Sequence, residues 1–175
     1  GFNMGDQVGD KQWGFENRGM GHWGMFATGR TDMLQWHKWL VGFTTDSQVK
    51  CAPKDTTSLT WIAPGSTKTS KQKMVVVPLS STEAIVIESV RATGINYKLS
   101  REEQGALVYT LNMADLRYNY GYEVQMPKAR EGKWHQYAMG HAPLKRGESL
   151  IFKGVKITNV EWGDFGDVIR VEPAN

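Results

Sequence analysis

The stretch "SLIFKGVKITNVEWGDFGDVIRVEP", residues 149–173, decides how this chain is read. Apolar and polar side chains alternate along it, and the turn signal "GDFGD" at 163–167 separates its last two runs. A period of two belongs to a half-buried strand, and Gly with Asp between such runs marks a tight turn. The stretch therefore predicts a meander of three strands. Val155, Ile157 and Val160 reach toward one face, and Val168, Ile169 and Val171 complete an edge.

Working outward, the same period runs through "SLTWIA" at 58–63, "KMVVVPL" at 73–79, "AIVIESV" at 84–90, "GALVYTLN" at 105–112 and "YGYEVQM" at 120–126. The turn signals "APGS", "ATG" and "KRGE" punctuate these runs, "STKTSKQK" at 66–73 reads as a solvated hairpin loop, and "REEQ" at 101–104 is similar. About eight short strands at this spacing predict a mainly β chain, an antiparallel β-sandwich. The first 50 residues differ. Glycines at 1, 5, 9, 14, 19, 21, 24 and 29 imply a loop anchored by Trp13, Phe15, Trp23 and Phe26. One α-helix follows over 32–41, with Met33, Trp36 and Leu40 on one face. Asp32 or Thr31 is expected to cap its start, and Gly42 to stop it. A boundary near residue 50 divides a Gly/Trp-rich loop plus helix, 1–50, from a β-sandwich domain, 51–175.

Composition bounds the function. A hydrophobic share of 40% is enough for a core, and no run approaches the roughly 20 apolar residues of a membrane-spanning helix. The net charge of +3 is a small excess over 21 basic and 18 acidic side chains, with no basic block, so nucleic acid is not an expected partner. The lone Cys51 excludes an internal disulfide and a four-thiolate zinc site. It is read as a small buried side chain, or as one pairing outside this sequence.

The motifs of hydrolytic chemistry are missing. No H-E-x-x-H places two zinc ligands on a helix face, and no serine sits in a G-x-S-x-G elbow. His22, His37, His135 and His141 are scattered without metal-ligand spacing. Glu161, Asp164 and Asp167 in "EWGDFGD" could converge on calcium or form a plain polar turn, and Asp6 and Asp10 in the opening loop offer the same choice. Tyr118, Tyr120 and Trp134 could make an aromatic sugar-stacking surface or serve as ordinary strand residues.

The stretch "MGHWGMFATGRTDMLQWHKWLVGF", residues 20–43, resembles the segment after the zinc-binding helix in secreted metallopeptidases of the immune-inhibitor-A-like (M6) group. The shared residues are Gly21, Trp23, Gly24, Met25, Asp32, Leu34, Trp36, Lys38, Trp39, Leu40, Gly42 and Phe43. "AIVIESVRATGINYKL" and "GALVYTLN" also look like phrases of that family, so the likeness covers roughly residues 1 to 112. By resemblance, Met25 with Trp23 would form the hydrophobic floor of the turn beneath a zinc ion, the helix would close the catalytic domain, and the β-rich remainder would pack behind it.

The departures shape the expectation. The H-E-x-x-H helix is absent, Met4 stands where the family often has Asp, and Phe26 stands where a small Ser is usual. The resemblance implies a C-terminal fragment of a secreted zinc metallopeptidase, with no catalytic residue of its own and zinc held only together with an upstream segment. Its partner would be that N-terminal portion, or neighbouring copies, with a peptide substrate for the whole. The alternative is a non-catalytic, secreted β-rich module for binding or assembly that keeps the same scaffold. A third reading is a carbohydrate-binding sandwich.

Overall fold

The computed structural model describes residues 20–25, 31–114, 121–130 and 139–174. The chain is mainly β: nine strands in two sheets with one short helix among the described residues. The helix α1 (Gln35–Leu40) precedes β1 (Val49–Cys51), β2 (Ser58–Ile62), β3 (Met74–Pro78), β4 (Glu83–Val90) and β5 (Gly105–Asn112). Then come β6 (Tyr122–Gln125), β7 (Ser149–Phe152), β8 (Val155–Gly163) and β9 (Gly166–Pro173). One sheet has the order β1-β3-β4-β5-β6, the other β2-β9-β8-β7.

The expected runs all become strands, and the last three form the expected meander. Three features differ. First, the larger sheet is mixed, because β1 lies parallel to β3 with Val49 opposite Met74. Three residues are too few to show a period, so β1 leaves no pattern in the sequence. Second, β2 and β3 belong to different sheets, which makes 63–73 a crossing between sheets and not a hairpin loop. That crossing is what brings β3 back alongside β1. Third, β9 is internal; β2 covers it and takes the edge of the smaller sheet. Cys51 is exposed on the edge strand β1, not buried.

The five-stranded sheet is covered on both faces. Val75, Val77, Ile85, Ile87, Ala106 and Val108 face Ile62, Leu150, Val155, Ile157, Ile169 and Val171 of the other sheet. On the opposite face, Met74, Val86, Leu107 and Tyr109 share a core with Met20, Trp23, Leu34 and Met139. Strands buried on both sides read as near-continuous apolar runs, which is why "MVVV" and "ALVY" hardly alternate. At roughly 1.5–3 kcal/mol for each large apolar side chain removed from water, this double layer is the main stabilising term. Residues before position 50 thus contribute to the same core as β3, β4 and β5.

The alternation of β8 itself corrects the inward-facing set. Val155 and Ile157 point into the core as expected, but the third inward residue is the fully buried Asn159, and Val160 is only partly buried. The pairing shifts between Asn159 and Glu161, so one extra residue turns the strand and resets the alternation.

The β8–β9 turn depends on a glycine. Gly166 has φ +117°, and a Cβ there would sit 2.0 Å from the Ile62 carbonyl oxygen, a backbone atom of β2. Gly147 also has positive φ, +80°, but open space around it. In urea melts, Gly166→Ala should therefore lose several-fold more stability than Gly147→Ala, whose cost is about 1 kcal/mol of backbone strain. Equal losses would mean that the β2–turn approach does not constrain the fold.

Candidate functional site

Residues 20–25 and 31–40 of the aromatic stretch lie on the outward face of the five-stranded sheet, and buried polar groups fix them there. Its first turn is closed by Thr31, whose hydroxyl accepts from the Gly24 N–H (2.8 Å) and donates to the His22 carbonyl (3.0 Å). Asp32 accepts from Met33 N–H (2.7 Å) and pairs with Lys38. Both expected caps are thereby committed before the helix begins, and α1 starts at Gln35 with no side-chain cap from its own N-cap residue, Leu34. Gly42 stops it as expected, at φ +82°, with its N–H donating to the Trp39 carbonyl.

The first N–H of the helix finds its acceptor across the sheet. Gln35 N–H donates to Oε2 of Glu88 (2.7 Å), a buried residue of β4, and the Tyr109 hydroxyl of β5 donates to the same oxygen (3.0 Å). Trp36 N–H in turn donates to the Tyr109 oxygen (3.4 Å). Burial pushes the Glu88 carboxyl up from 4.5 to about 7, against the two hydrogen bonds and Lys38, which favour the charge. Burial and then the Glu88 charge push the Tyr109 hydroxyl well above its ordinary value. Lys73 donates to the carbonyls of Gly65 (3.1 Å) and Thr67 (2.6 Å), and its ammonium is lowered mainly by burial. The Gln35 side chain joins the group, donating to the Gly65 carbonyl and accepting from Thr44.

A carboxyl poised near neutrality is a general acid or base when a substrate can reach it. Here the adjoining cavity, lined by Trp23, Leu34, Glu88, Ser89 and Asn96, holds about 10 Å³. That is room for about one water molecule. The arrangement can hold and release a proton and seat the helix; it has no space for a substrate.

Beside it, Trp23 is buried and donates through Nε1 to the Met139 carbonyl (2.8 Å), with the His22 ring 4.6 Å away. His22 Nε2 lies 3.6 Å from Oε1 of Glu103. Met25, the other residue of the expected floor, is 48% exposed; the buried methionines among the described residues are Met20, Met74 and Met139.

The structure separates the acidic residues of the last turn. Asp167 is fully buried and bonds Arg91 (2.9 Å) and Asn159 Nδ2 (2.7 Å). Glu161 forms an exposed pair with Arg146 (3.4 Å), and Asp164 is exposed in the β8–β9 turn. Among the described residues no three His, Cys, Asp or Glu side chains are grouped to hold a metal ion. Met4, Asp6, Asp10, Tyr118, Tyr120 and Trp134 lie outside the described residues. Sequence reasoning passed over Glu88, Arg91 and Asn159. Glu88 carried a signal, a lone acid inside the apolar run "AIVIESV".

Models of known protein families, curated proteins and solved structures were all compared with the chain, and none matches it.

Two outcomes follow from these polar groups. A folded-state carboxyl raised from 4.5 to about 7 adds stability that is complete below 4.5 and disappears as pH climbs through 7. Wild type should therefore lose about 3 kcal/mol between pH 4.5 and 8 relative to Glu88→Gln, read from urea midpoints across pH. Arg91→Met leaves Asp167 buried without its cation and should cost about 3–5 kcal/mol at neutral pH. A cost below 1 kcal/mol would show that Asp167 is held by Asn159 alone.

Proposed function

We propose that this chain is the part of a secreted, immune-inhibitor-A-like zinc metallopeptidase that follows the zinc-binding helix, a scaffold without catalysis of its own. One observation carries the reading. The described parts of the three stretches that bear the resemblance pack together: residues 20–25 and 31–41 rest on β4 and β5, which are the strands of "AIVIESV" and "GALVYTLN". A segment closing a catalytic domain and the strands behind it would have this relation. The facing sheets suit the expected sandwich, with β1 as the one parallel member.

The described residues do not offer a ligand set for zinc, so no step of peptide hydrolysis is assigned to them. Their part in this reading is mechanical. Trp23 and Leu34 anchor the turn, and Glu88 and Tyr109 fix the start of the helix. Leu40, Val41 and Phe43, all exposed around the helix end, would meet the portion carrying the metal. The second reading, a secreted assembly module, draws on the same apolar residues, which a neighbouring copy would bury.

Metal analysis of the natively purified protein, paired with its intact mass, decides between them. About one zinc per molecule, with peptide hydrolysis that a chelator abolishes, is the expected outcome. In that protein Phe43→Asp should lower activity while leaving the melting temperature within a few degrees, since the ring is 75% exposed. Zinc-free protein of the natural mass, self-associating until Phe43→Asp separates the copies, would replace the peptidase reading with the assembly one.

A further inference from the structure

A cleft of about 400 Å³ opens between the edge strands β1 and β2 and residues 70–72 of the crossing segment. That volume falls within the range of small-molecule sites, roughly 300–1,000 Å³. Its lining combines two chemistries. Trp61 and Leu59 of β2 supply the apolar part, and Lys50, Ser70, Lys71 and Gln72 supply the polar part.

The indole is held ready. Trp61 Nε1–H donates to the Phe165 carbonyl in the β8–β9 turn (2.9 Å), and the side chain remains 40% exposed. A ring fixed before binding loses little freedom when a flat apolar face settles on it. The two ammonium groups lack the carboxylate partner that some cations here have. Lys38, Lys153 and Lys156 each meet a carboxylate, whereas Lys50 and Lys71 meet none among the described residues. The Ser70 hydroxyl and the Gln72 amide also make no side-chain hydrogen bond among the described residues, so both are free to contact a ligand. Just beyond β2 the backbone is already engaged by the crossing segment: Ala63 N–H donates to the Gln72 carbonyl (2.8 Å).

We propose that this cleft binds an acidic glycan, a uronic-acid-containing oligosaccharide, with one sugar ring stacked on Trp61 and its carboxylate paired with Lys50 and Lys71. The class follows from what the lining offers. A sugar ring presents a flat face of C–H groups to the indole and hydroxyls to Ser70 and Gln72, and the uronate supplies the missing negative charge. The site is independent of the zinc reading and uses none of its residues.

Calorimetric titration of the whole protein with tetragalacturonate, and with uncharged cellotetraose as a control, tests it. Binding of the uronide is expected in the micromolar to low-millimolar range, about tenfold weaker for cellotetraose and weakened by added salt. Trp61→Ala should reduce it at least about tenfold, and Lys71→Glu, at an exposed position, by a similar factor. Trp61→Phe keeps a stacking ring and should retain most of the affinity, which separates lost stacking from a loosened β2; melting curves of each variant check the fold. No binding by folded wild type at about 10 mM overturns the proposal, as does affinity indifferent to Trp61→Ala. Equal binding of a tetraglutamate peptide, unaffected by Trp61→Ala, would make the cleft a cationic surface for acidic peptides instead.

Discussion

The rest of the structure depends on a sheet buried on both faces. Once β3, β4 and β5 are covered by the second sheet on one side, their other side is still apolar and needs its own cover. Residues 20–25 and 31–41 provide it, and they bring backbone N–H groups with them. A helix start pressed onto an apolar sheet would leave those donors without acceptors. Glu88 resolves the conflict by standing in the sheet as an acceptor for Gln35 N–H, with Tyr109 completing the chain to Trp36 N–H. The cost is a carboxylate out of water, visible in its raised pKa. Helix seating and the protonation of one residue are therefore coupled.

A second buried charge ties the two sheets together at one end. The Arg91 guanidinium, just beyond β4, donates to the carbonyls of Val90, Gly163 and Gly166 and pairs with Asp167. Asn159, turned into the core by the alternation of β8, bridges Asp167 and the Leu144 carbonyl. A buried ion pair need not exceed a well-packed apolar replacement in stability. What it supplies here is position: these six oriented contacts hold the β8–β9 turn in place relative to β4. The same turn presents the Phe165 carbonyl that orients Trp61, so the indole of the cleft inherits its position from this cluster.

Legibility in the sequence followed the length of each pattern. Runs of four to nine residues with β-branched or aromatic side chains announced β2 to β9, because burial on at least one face leaves a regular trace. The three residues of β1 left none, and with it the parallel pairing was hidden. The helix was placed but started too early, since Thr31 and Asp32 have the chemistry of caps and spend it on the preceding turn and on Lys38. Asn159 stands where alternation from Val155 and Ile157 puts the third inward residue, yet an amide does not read as core, whereas the apolar Val160 beside it does.

The candidate site was less legible than the fold for a related reason. Its working groups come from β4, β5 and the start of α1, which are distant in sequence and meet only through sheet order. The aromatic residues of 20–40 drew attention to a metal site, yet in the structure Trp23 and Leu34 are buried as packing, and the polar atoms around them are committed to one another. Density of aromatics reports how much apolar surface a segment must bury. It does not distinguish a helix seat from the floor of an active site, since both require rigid rings on a sheet. What distinguishes them is open volume beside the titratable group, and here the volume beside Glu88 is that of a single water, whereas the larger opening lies at the Trp61 cleft.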